Sequence, residues 1–202
     1  MKIFIATGNL HKLTELKGIL PEHTALGEPI HYVSVLDEPS FVMPEETADT
    51  LTENAQLKAL AGAHQTGLVS LSDDTGLEVD ALGGGPGVHT ARYAGENASS
   101  QDNNEKLLRS LQGVPLEKRT ARFRTIACLA YPDGKTYCFE GQVQGYIASD
   151  YHGINGFGYD PIFVVTETGK AFAEMSEADK NKLSHRGRAF RKLAEFLTHL
   201  SD

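Results

Sequence analysis

Carboxylates with the spacing of a metal or catalytic site occur at several separated points of the chain. Two adjacent aspartates, Asp73 and Asp74, follow the apolar run at residues 68–72, and Thr75 comes directly after them. Ligands of open α/β sheets bind beyond the carboxyl ends of strands, so this segment is a candidate site, although a simple Asp-rich turn explains it as well. Successive side chains of a strand point to opposite faces, and we therefore expect only one of the two aspartates to reach a metal ion.

A second acidic segment consists of Glu45 and Glu46, which precede a predicted helix over residues 50–64. Carboxylate oxygens are ligands that Mg²⁺ prefers, so these glutamates could hold a metal ion. Acidic residues before a helix also interact favourably with the helix dipole, and that alternative needs no ligand. Asn54 and Lys58 lie four residues apart on the predicted helix and therefore share one face.

The turn between the first predicted strand, residues 2–7, and the first predicted helix, residues 11–20, is suited to binding phosphate. Backbone N–H groups at a helix N-terminus have no partner within the helix, and the helix dipole favours negative charge there. Gly8 allows a ligand to approach the backbone closely, and Lys12 could add a positive charge. The P-loop pattern occurs nowhere in the chain, and an ordinary turn capped by Asn9 explains the segment equally well.

Two later segments could recognise a base and its phosphates. In residues 153–161 an aromatic ring, Phe157, stands three residues before a carboxylate, Asp160, so a purine could stack on the ring while the carboxylate accepts a hydrogen bond. The glycines there run in the reverse order of the dinucleotide fingerprint and no helix follows, which excludes a Rossmann site. Residues 180–187 bring Ser, His and Arg donors together, although a polar turn of a surface helix would look the same.

The order of the elements that must position these residues indicates an α/β protein with a mixed sheet. Strands are predicted at residues 2–7, 32–36, 68–72, 77–82, 121–131, 136–148 and 161–165, and helices at residues 11–20, 50–64 and 101–111 and in the C-terminal region. Strands alternate with helices, apart from one central hairpin that turns at residues 132–135. The last helix is expected to bury an apolar stripe that consists of Phe190, Leu193, Ala194, Leu197 and Leu200.

Composition restricts the class of protein. The chain has 202 residues, of which 40% are hydrophobic and 23% charged, and this suits one folded domain with a sizeable core. The net charge of −8 argues against a general nucleic-acid binder, whereas a small anionic substrate needs only a local positive pocket. No apolar run could span a bilayer and no signal-peptide pattern occurs, so we expect a cytoplasmic protein. Cys128 and Cys138 form no CxxC pair and are expected to be buried thiols.

Acidic and basic residues are segregated along the chain. Residues 18–57 contain eight acidic residues and no Lys or Arg, whereas six Lys or Arg residues fall within residues 180–192. Metal-binding carboxylates opposite phosphate-binding cations would produce this pattern. Two solvated faces of opposite sign would produce it as well.

Taken together, these segments resemble the inosine triphosphate pyrophosphatase family, the dITP/XTP pyrophosphatases. The matching stretches, in chain order from residue 3 to about residue 191, are TGNLHK, EET with ENAQLKA, SDDTGLEVDALGGGPGVHTARYAG, GFGYDPIF and SHRG. The resemblance implies a single domain over residues 1–202 with an elongated two-lobed α/β fold, a long central mixed β-sheet flanked by helices, and a nucleotide cleft between the lobes. It also implies a homodimeric enzyme that needs Mg²⁺ and cleaves ITP, dITP or XTP between the α- and β-phosphates, releasing the monophosphate and pyrophosphate.

The resemblance also assigns roles residue by residue. Asp74 would be the catalytic proton acceptor and a metal ligand, and Glu45 would be the other metal ligand, with the parts of Glu46 and Asp73 left open. The substrate-binding residues would be Thr7, Gly8, Asn9, Leu10, His11, Lys12, Lys58, Thr75, Phe157, Gly158, Tyr159, Asp160, Lys180, His185 and Arg186, and Ser184 would help to hold the base. The expected partner is a non-canonical purine nucleoside triphosphate, with no nucleic acid and no membrane.

The chemistry of the bases suggests how such a site would select them. A donor on His185 or Arg186 would bind the 6-oxygen of hypoxanthine or xanthine, whereas adenine presents a donor there, and a buried mismatch costs about 1–3 kcal/mol per group. Three alternatives compete: a nucleotide-binding regulator without catalysis, a Maf-like pyrophosphatase with another base preference, and a structural α/β protein. The carboxylates Glu45, Asp73 and Asp74 argue against the first, the SHRG and GFGYD segments against the second, and the five matching segments against the third.

Overall fold

The computed structural model describes residues 1–24 and 26–199 and contains eight strands and five α-helices in that part of the chain. The strands are β1 (Lys2–Ile5), β2 (His31–Ser34), β3 (Val69–Val79), β4 (Pro86–Gly87), β5 (Thr120–Ala130), β6 (Thr136–Ile147), β7 (Phe163–Val165) and β8 (Lys170–Ala171). The helices are α1 (Leu10–Lys17), α2 (Leu51–Thr66), α3 (Ser100–Ser110), α4 (Glu177–Leu183) and α5 (His185–His199). None of these helices is long and apolar enough to cross a membrane.

The strands form one mixed sheet in the order β2-β1-β3-β5-β6-β7-β8, and β4 pairs with β3. Strand β1 runs parallel to β2 and to β3, whereas β6 with β7 and β7 with β8 are antiparallel pairs. Parallel neighbours need a long crossover because no tight turn can join them, and α1 and α2 lie in the two crossovers. The prediction of an α/β fold with a central mixed sheet flanked by helices is confirmed.

The chain forms two compact units. Unit 1 contains Met1–Asp74, Thr125–Gly141 and Arg186–Asp202, and unit 2 contains Thr75–Arg124 and Gln142–His185. The single domain with a nucleotide cleft between two lobes, which the family resemblance implies, stays a prediction.

The core of unit 1 is formed by the apolar faces of β1, α1 and α5. Ile3 and Ile5 of β1 and Leu16 of α1 are buried in one cluster with Phe190 and Leu193 of α5. Burial at helical spacing in α5 agrees with the predicted apolar stripe. Leu200, the last member of that predicted stripe, lies outside the described residues.

The core of unit 2 contains a group of packed aromatic rings. The ring of Phe123 on β5 lies 4.7 Å from that of Phe163 on β7, and Phe163 stacks on Phe172 at 5.5 Å, both measured between ring centres. Leu107 and Leu111, from α3 and its C-terminal cap, are buried in the same cluster. Aromatic pairs at such distances contribute beyond the area that they bury, so this cluster forms a rigid support for the loops of unit 2.

The structure corrects the predicted position of the two adjacent aspartates. Asp73 and Asp74 lie inside β3, which continues without a break from Val69 to Val79, and do not form a turn after it. A strand can run through two carboxylates when each one has a cationic partner. Whether the two side chains point to opposite faces, as predicted, can be judged from the cations that each one contacts.

The expectation that Cys128 and Cys138 are buried thiols is wrong, because the structure joins them in a disulfide between the neighbouring strands β5 and β6. Their Cα atoms are 4.2 Å apart although their positions differ by ten in the chain. The backbone N–H of Tyr131 donates to the carbonyl of Lys135 at 2.9 Å, and this turn folds the hairpin back on itself midway between the cysteines. The pairing thus follows from strand register.

Helix α2 packs closely on β3 because residue 62 is a glycine. A Cβ atom at Gly62 would overlap the hydroxyl of Ser70 and would lie 2.9 Å from the ring of Phe4. Glycine inside a helix costs about 1 kcal/mol relative to alanine, so the close packing must outweigh that cost. The hydroxyl of Ser70 is buried and has no hydrogen-bond partner among the described residues.

This contact predicts the result of a double-mutant cycle. Gly62→Ala should lower the free energy of unfolding by about 1–3 kcal/mol because it overpacks the interface. Ser70→Ala should leave that free energy unchanged or raise it by up to about 1 kcal/mol, because it removes a buried hydroxyl that lacks a partner. In the double variant part of the clash disappears, so its loss should be smaller than the sum of the two single effects. Urea unfolding of the four proteins measures the coupling, and strict additivity would contradict the proposed contact.

Candidate active site

Asp73 of β3 lies between two cations in unit 1. The Nζ atom of Lys12 donates to Asp73 Oδ1 at 3.1 Å, and the Nε atom of Arg186 donates to Asp73 Oδ2 at 3.2 Å. Arg186 also donates through Nη1 to Glu15 Oε2 at 2.5 Å. Lys12 and Glu15 are three residues apart on α1 and therefore lie on one face of that helix. Four charged groups from three distant segments thus form one network.

The charges around Asp73 decide its protonation. Burial alone would raise the pKa of Asp73, but the positive charges of Lys12, Arg186 and Lys58 together outweigh burial and hold this pKa well below its ordinary range. A carboxylate that stays ionised with both oxygens engaged is a poor proton acceptor. Asp73, whose side chain is 1% exposed, is therefore suited to holding Lys12 and Arg186 in place.

Asp74 meets a different cation, as expected for the opposite face of the strand. The Nζ atom of Lys58 on α2 donates to Asp74 Oδ1 at 2.9 Å and to Glu46 Oε1 at 2.6 Å. Two carboxylates from separate segments thus share one ammonium group. Burial raises the pKa of Asp74 above its ordinary value, and the charge of Lys58 offsets only part of that rise. A raised pKa makes a carboxylate a better proton acceptor.

The structure distinguishes the two glutamates before α2. The side chain of Glu46 is half-buried and contacts Lys58, whereas Glu45 is exposed. Adjacent side chains of an extended segment point to opposite sides, so only one glutamate of the pair can face Lys58. Glu46, and not the Glu45 that the resemblance named as a metal ligand, is thus brought together with Asp74.

A donor set of two carboxylates suits Mg²⁺. In the described part of the chain, no group of three His, Cys, Asp or Glu residues is arranged to hold a metal ion. Mg²⁺ usually binds through one or two carboxylates and completes its shell with water and substrate phosphates. The hard oxygens of Glu46 and Asp74, which already converge on one cation, fit this requirement.

The segment expected to bind phosphate begins helix α1. Asn9 is the N-cap, and its Oδ1 atom accepts the backbone N–H groups of His11 and Lys12 at 3.0 and 3.3 Å. Thr7 Oγ1 accepts the backbone N–H of Asn9 at 3.3 Å. The capping function of Asn9 is confirmed, whereas phosphate binding stays a prediction. The exposed members of the segment are Gly8, Asn9, Leu10 and His11.

Unit 2 contains the residues expected to meet the base. The Nζ atom of Lys180 donates to Asp160 Oδ2 at 2.6 Å and lies 4.6 Å from the ring centre of Phe157. Asp160 Oδ2 also accepts the backbone N–H of Phe157 at 2.8 Å. A Cβ atom at Gly156 would overlap the Asp160 carboxylate, and the positive φ of 77° also favours glycine there. The loop therefore holds an aromatic face, a carboxylate and an ammonium group in one fixed arrangement.

His185 and Tyr159 are buried in unit 2. The ring of His185 stacks on that of Phe123 with 4.5 Å between ring centres and 13° between planes. The hydroxyl of Tyr159 donates to the carbonyl of Thr90 at 2.9 Å, and the residue is 4% exposed. Tyr159 thus attaches its loop to the core of unit 2. Direct contact between Tyr159 and a substrate stays a prediction.

The remaining predicted residues of unit 2 are Thr75, Gly158 and Ser184. Thr75 is half-buried on β3, the carbonyl of Gly158 accepts from the side-chain amide of Asn104 at 3.0 Å, and Ser184 is buried at the end of α4. The alternative of a polar surface turn at residues 180–187 is wrong, because four of its polar side chains are buried. These buried side chains are Lys180, Ser184, His185 and Arg186.

Sequence reasoning missed two residues that contact the predicted ones. Glu15 is buried and pairs with Arg186. One indication of this was present in the sequence, because Glu15 follows Lys12 by three residues and so lies on the same face of α1. Phe123 stacks on His185, and nothing local in the sequence indicates that contact because sixty-two residues separate the two positions.

The Asp73 network leads to a stability prediction. Asp73→Asn should lower the free energy of unfolding by about 3–5 kcal/mol, because it leaves Lys12 and Arg186 without their common counter-charge. Thermal or urea unfolding measures the loss. Asp102→Asn is the control, since Asp102 is an exposed member of the capping box of α3, and its loss should be much smaller. Equal losses for the two variants would contradict a central role for Asp73.

The sequence of the chain was compared with those of known proteins. The chain matches the Ham1 family over residues 3–196. It is 53% identical over 195 residues to a dITP/XTP pyrophosphatase of Elusimicrobium minutum, which covers 96% of this chain and 98% of that protein. A dITP/XTP pyrophosphatase of Geobacter sulfurreducens is 47% identical over 196 residues, covering 97% of this chain and 96% of that one.

Solved structures agree with the sequence comparison. A HAM1 protein from Coxiella burnetii superposes with a TM-score of 0.88 at 37% identity, covering 99% of this chain and all of that one. The Staphylococcus aureus Ham1 protein superposes with a TM-score of 0.85 at 40% identity and covers 98% of each chain. Because sequence and fold agree over nearly the full length, the chain belongs to the Ham1 family.

Proposed function

We propose that this protein hydrolyses non-canonical purine nucleoside triphosphates such as ITP, dITP and XTP to the monophosphate and pyrophosphate. The observation that carries the proposal is the convergence of Asp74 and Glu46 on one cation, next to an aspartate that holds Lys12 and Arg186. Relatives with the printed name dITP/XTP pyrophosphatase, matched along nearly their full length, support the substrate class.

Mg²⁺ would be held by Glu46 and Asp74 in unit 1. Both carboxylates contact the ammonium of Lys58, at 2.6 and 2.9 Å, so their oxygens lie close to each other. When bound, Mg²⁺ would neutralise part of the triphosphate charge and orient the α-phosphate.

Residues of the chain itself would carry out different parts of the cleavage between the α- and β-phosphates. Asp74 would accept the proton of the attacking water, for which its raised pKa is suited. Lys12 and Lys58 would stabilise the negative charge that develops on the pyrophosphate leaving group. Asp73 would keep Lys12 and Arg186 oriented, since fixed charges need no reorganisation during the reaction.

Base recognition would use the fixed loop of unit 2. The ring of Phe157 offers a stacking surface, and Asp160 and Lys180 supply an acceptor and a cation beside it. His185, held against Phe123, would donate to the 6-oxygen of an oxo-purine. The homodimer, the cytoplasmic location and the absence of a nucleic-acid partner remain expectations that the family resemblance and the composition support.

A substrate panel tests the proposed reaction. With Mg²⁺ present, ITP and XTP should release pyrophosphate at least about tenfold faster than ATP, because adenine would place a donor against a donor. Pyrophosphate and orthophosphate are measured separately for ITP, XTP, ATP, GTP and dUTP. Orthophosphate without pyrophosphate would refute the cleavage position, and ATP turnover equal to that of ITP would refute the base preference.

Substitution of the carboxylates tests the metal ligands. Asp74→Asn should lower kcat by about 10²–10⁴-fold, because it removes the proton acceptor. Glu46→Gln should weaken Mg²⁺ binding measured by calorimetry, whereas Glu45→Gln should leave both binding and kcat within about twofold of the unsubstituted protein. The two glutamine variants are matched controls for each other. If Glu45→Gln loses Mg²⁺ binding and Glu46→Gln does not, the ligand is Glu45.

A further inference from the structure

The segment that carries the glutamates is held on α2 by two side-chain amides. We call residues 42–48 the acidic loop; it has no regular secondary structure. Ala48 N–H donates to Asn54 Oδ1 at 3.1 Å and Asn54 Nδ2 donates to the Ala48 carbonyl at 3.2 Å. Val42 N–H donates to Gln65 Oε1 at 2.9 Å and Gln65 Nε2 donates to the Val42 carbonyl at 2.8 Å. Each amide therefore pairs with both backbone groups of one loop residue.

The two amides lie on the same face of α2 as Lys58. Asn54, Lys58 and Gln65 are separated by four and seven residues, and at about 100° per residue all three fall on one side of the helix. The cation that Glu46 contacts is thus located between the two amide pairs along the helix. One face of α2 therefore supplies the hydrogen bonds that hold both ends of the acidic loop.

The length of the acidic loop leaves it little freedom between its attachments. Asn54 and Gln65 are separated by roughly 16 Å along the helix axis, at 1.5 Å per residue. The six residue steps from Val42 to Ala48 span at most about 20–22 Å when fully extended. A loop held near three-quarters of its maximum length cannot shift by a residue without losing one attachment. The position of Glu46 above Lys58 is therefore set by the two amides.

The two attachments differ in strength. Asn54 is 1% exposed, whereas Gln65 is exposed, so breaking the Asn54 pair leaves the half-buried N–H and carbonyl of Ala48 without their amide partner. The Val42 end of the acidic loop also has a neighbouring anchor, because the ring of Phe41 packs against Phe4 with 4.9 Å between ring centres. Removal of Asn54 is thus the change that most directly releases Glu46.

We propose that Asn54 is a positioning residue that holds Glu46 at the distance from Asp74 that a shared Mg²⁺ requires, and that Gln65 supports it as a second, weaker attachment. The proposal rests on the function proposed above only for the identity of the ion. It concerns how the acidic loop is held, and Asn54 would itself bind neither the metal ion nor the substrate.

The test compares Asn54→Ala and Gln65→Ala with a control from the same helix. Gln56→Ala is that control, because the amide of Gln56 donates to Thr136 Oγ1 of β6 at 3.4 Å and not to the acidic loop. Three quantities are measured: amide hydrogen exchange of residues 42–48, Mg²⁺ affinity by calorimetry without nucleotide, and kcat and KM for ITP as functions of Mg²⁺ concentration.

In Asn54→Ala the amide of Ala48 should exchange about tenfold faster or more, since both hydrogen bonds between Ala48 and the side chain of residue 54 are lost. Mg²⁺ affinity should fall by about three- to tenfold, while kcat at saturating Mg²⁺ stays within about twofold. Gln65→Ala should change the same quantities in the same direction by smaller factors. Gln56→Ala should change none of them.

Two results would overturn the proposal: faster exchange of the acidic loop with unchanged Mg²⁺ affinity, or no change in either quantity. If Asn54→Ala does not fold, Gln65→Ala decides, because it releases the other end of the acidic loop at an exposed position without adding a charge, and unchanged exchange and Mg²⁺ affinity in that variant would overturn the proposal. An unsubstituted protein that binds Mg²⁺ but releases no pyrophosphate from ITP or XTP would refute the proposed function alone. The exchange and calorimetry results would then still decide the role of Asn54.

Discussion

Unit 1 depends on the burial of two consecutive carboxylates within one strand. Asp73 and Asp74 face opposite sides of β3, and neither could remain charged in the interior without its own cation. Asp73 is met by Lys12 and Arg186, and Asp74 is met by Lys58. These cations come from α1, α5 and α2, so three helices must pack around β3 before the charges are compensated. The electrostatic requirement of two residues thus dictates the arrangement of the helices around the site.

The same two residues show how environment separates chemical roles. Both are aspartates at neighbouring positions, yet the surrounding cations lower the pKa of Asp73 and burial raises the pKa of Asp74. The first is thereby suited to organising charge and the second to accepting a proton. Two neighbouring aspartates can therefore differ in their affinity for a proton, and the residue type alone does not reveal this difference.

Irregular segments of both units are held by side chains from neighbouring elements. The acidic loop is paired with Asn54 and Gln65, and the loop around Phe157 is fastened where Tyr159 meets Thr90. A segment without regular secondary structure has few backbone partners of its own, so amides and hydroxyls from rigid elements supply them. Functional groups on such loops become as well positioned as groups on strands and helices.

The sequence by itself determined the α/β class, most of the strands and helices, and the segments that carry the site, because hydrophobic periodicity and turn residues are local properties. Only the tertiary structure decided that β3 runs through Asp73 and Asp74, that Glu46 and not Glu45 faces Lys58, and that Cys128 pairs with Cys138. Each of these outcomes depends on strand register or on which residues of a loop face the neighbouring helix. A shift of one residue turns a side chain to the opposite side, and only long-range packing selects among such shifts.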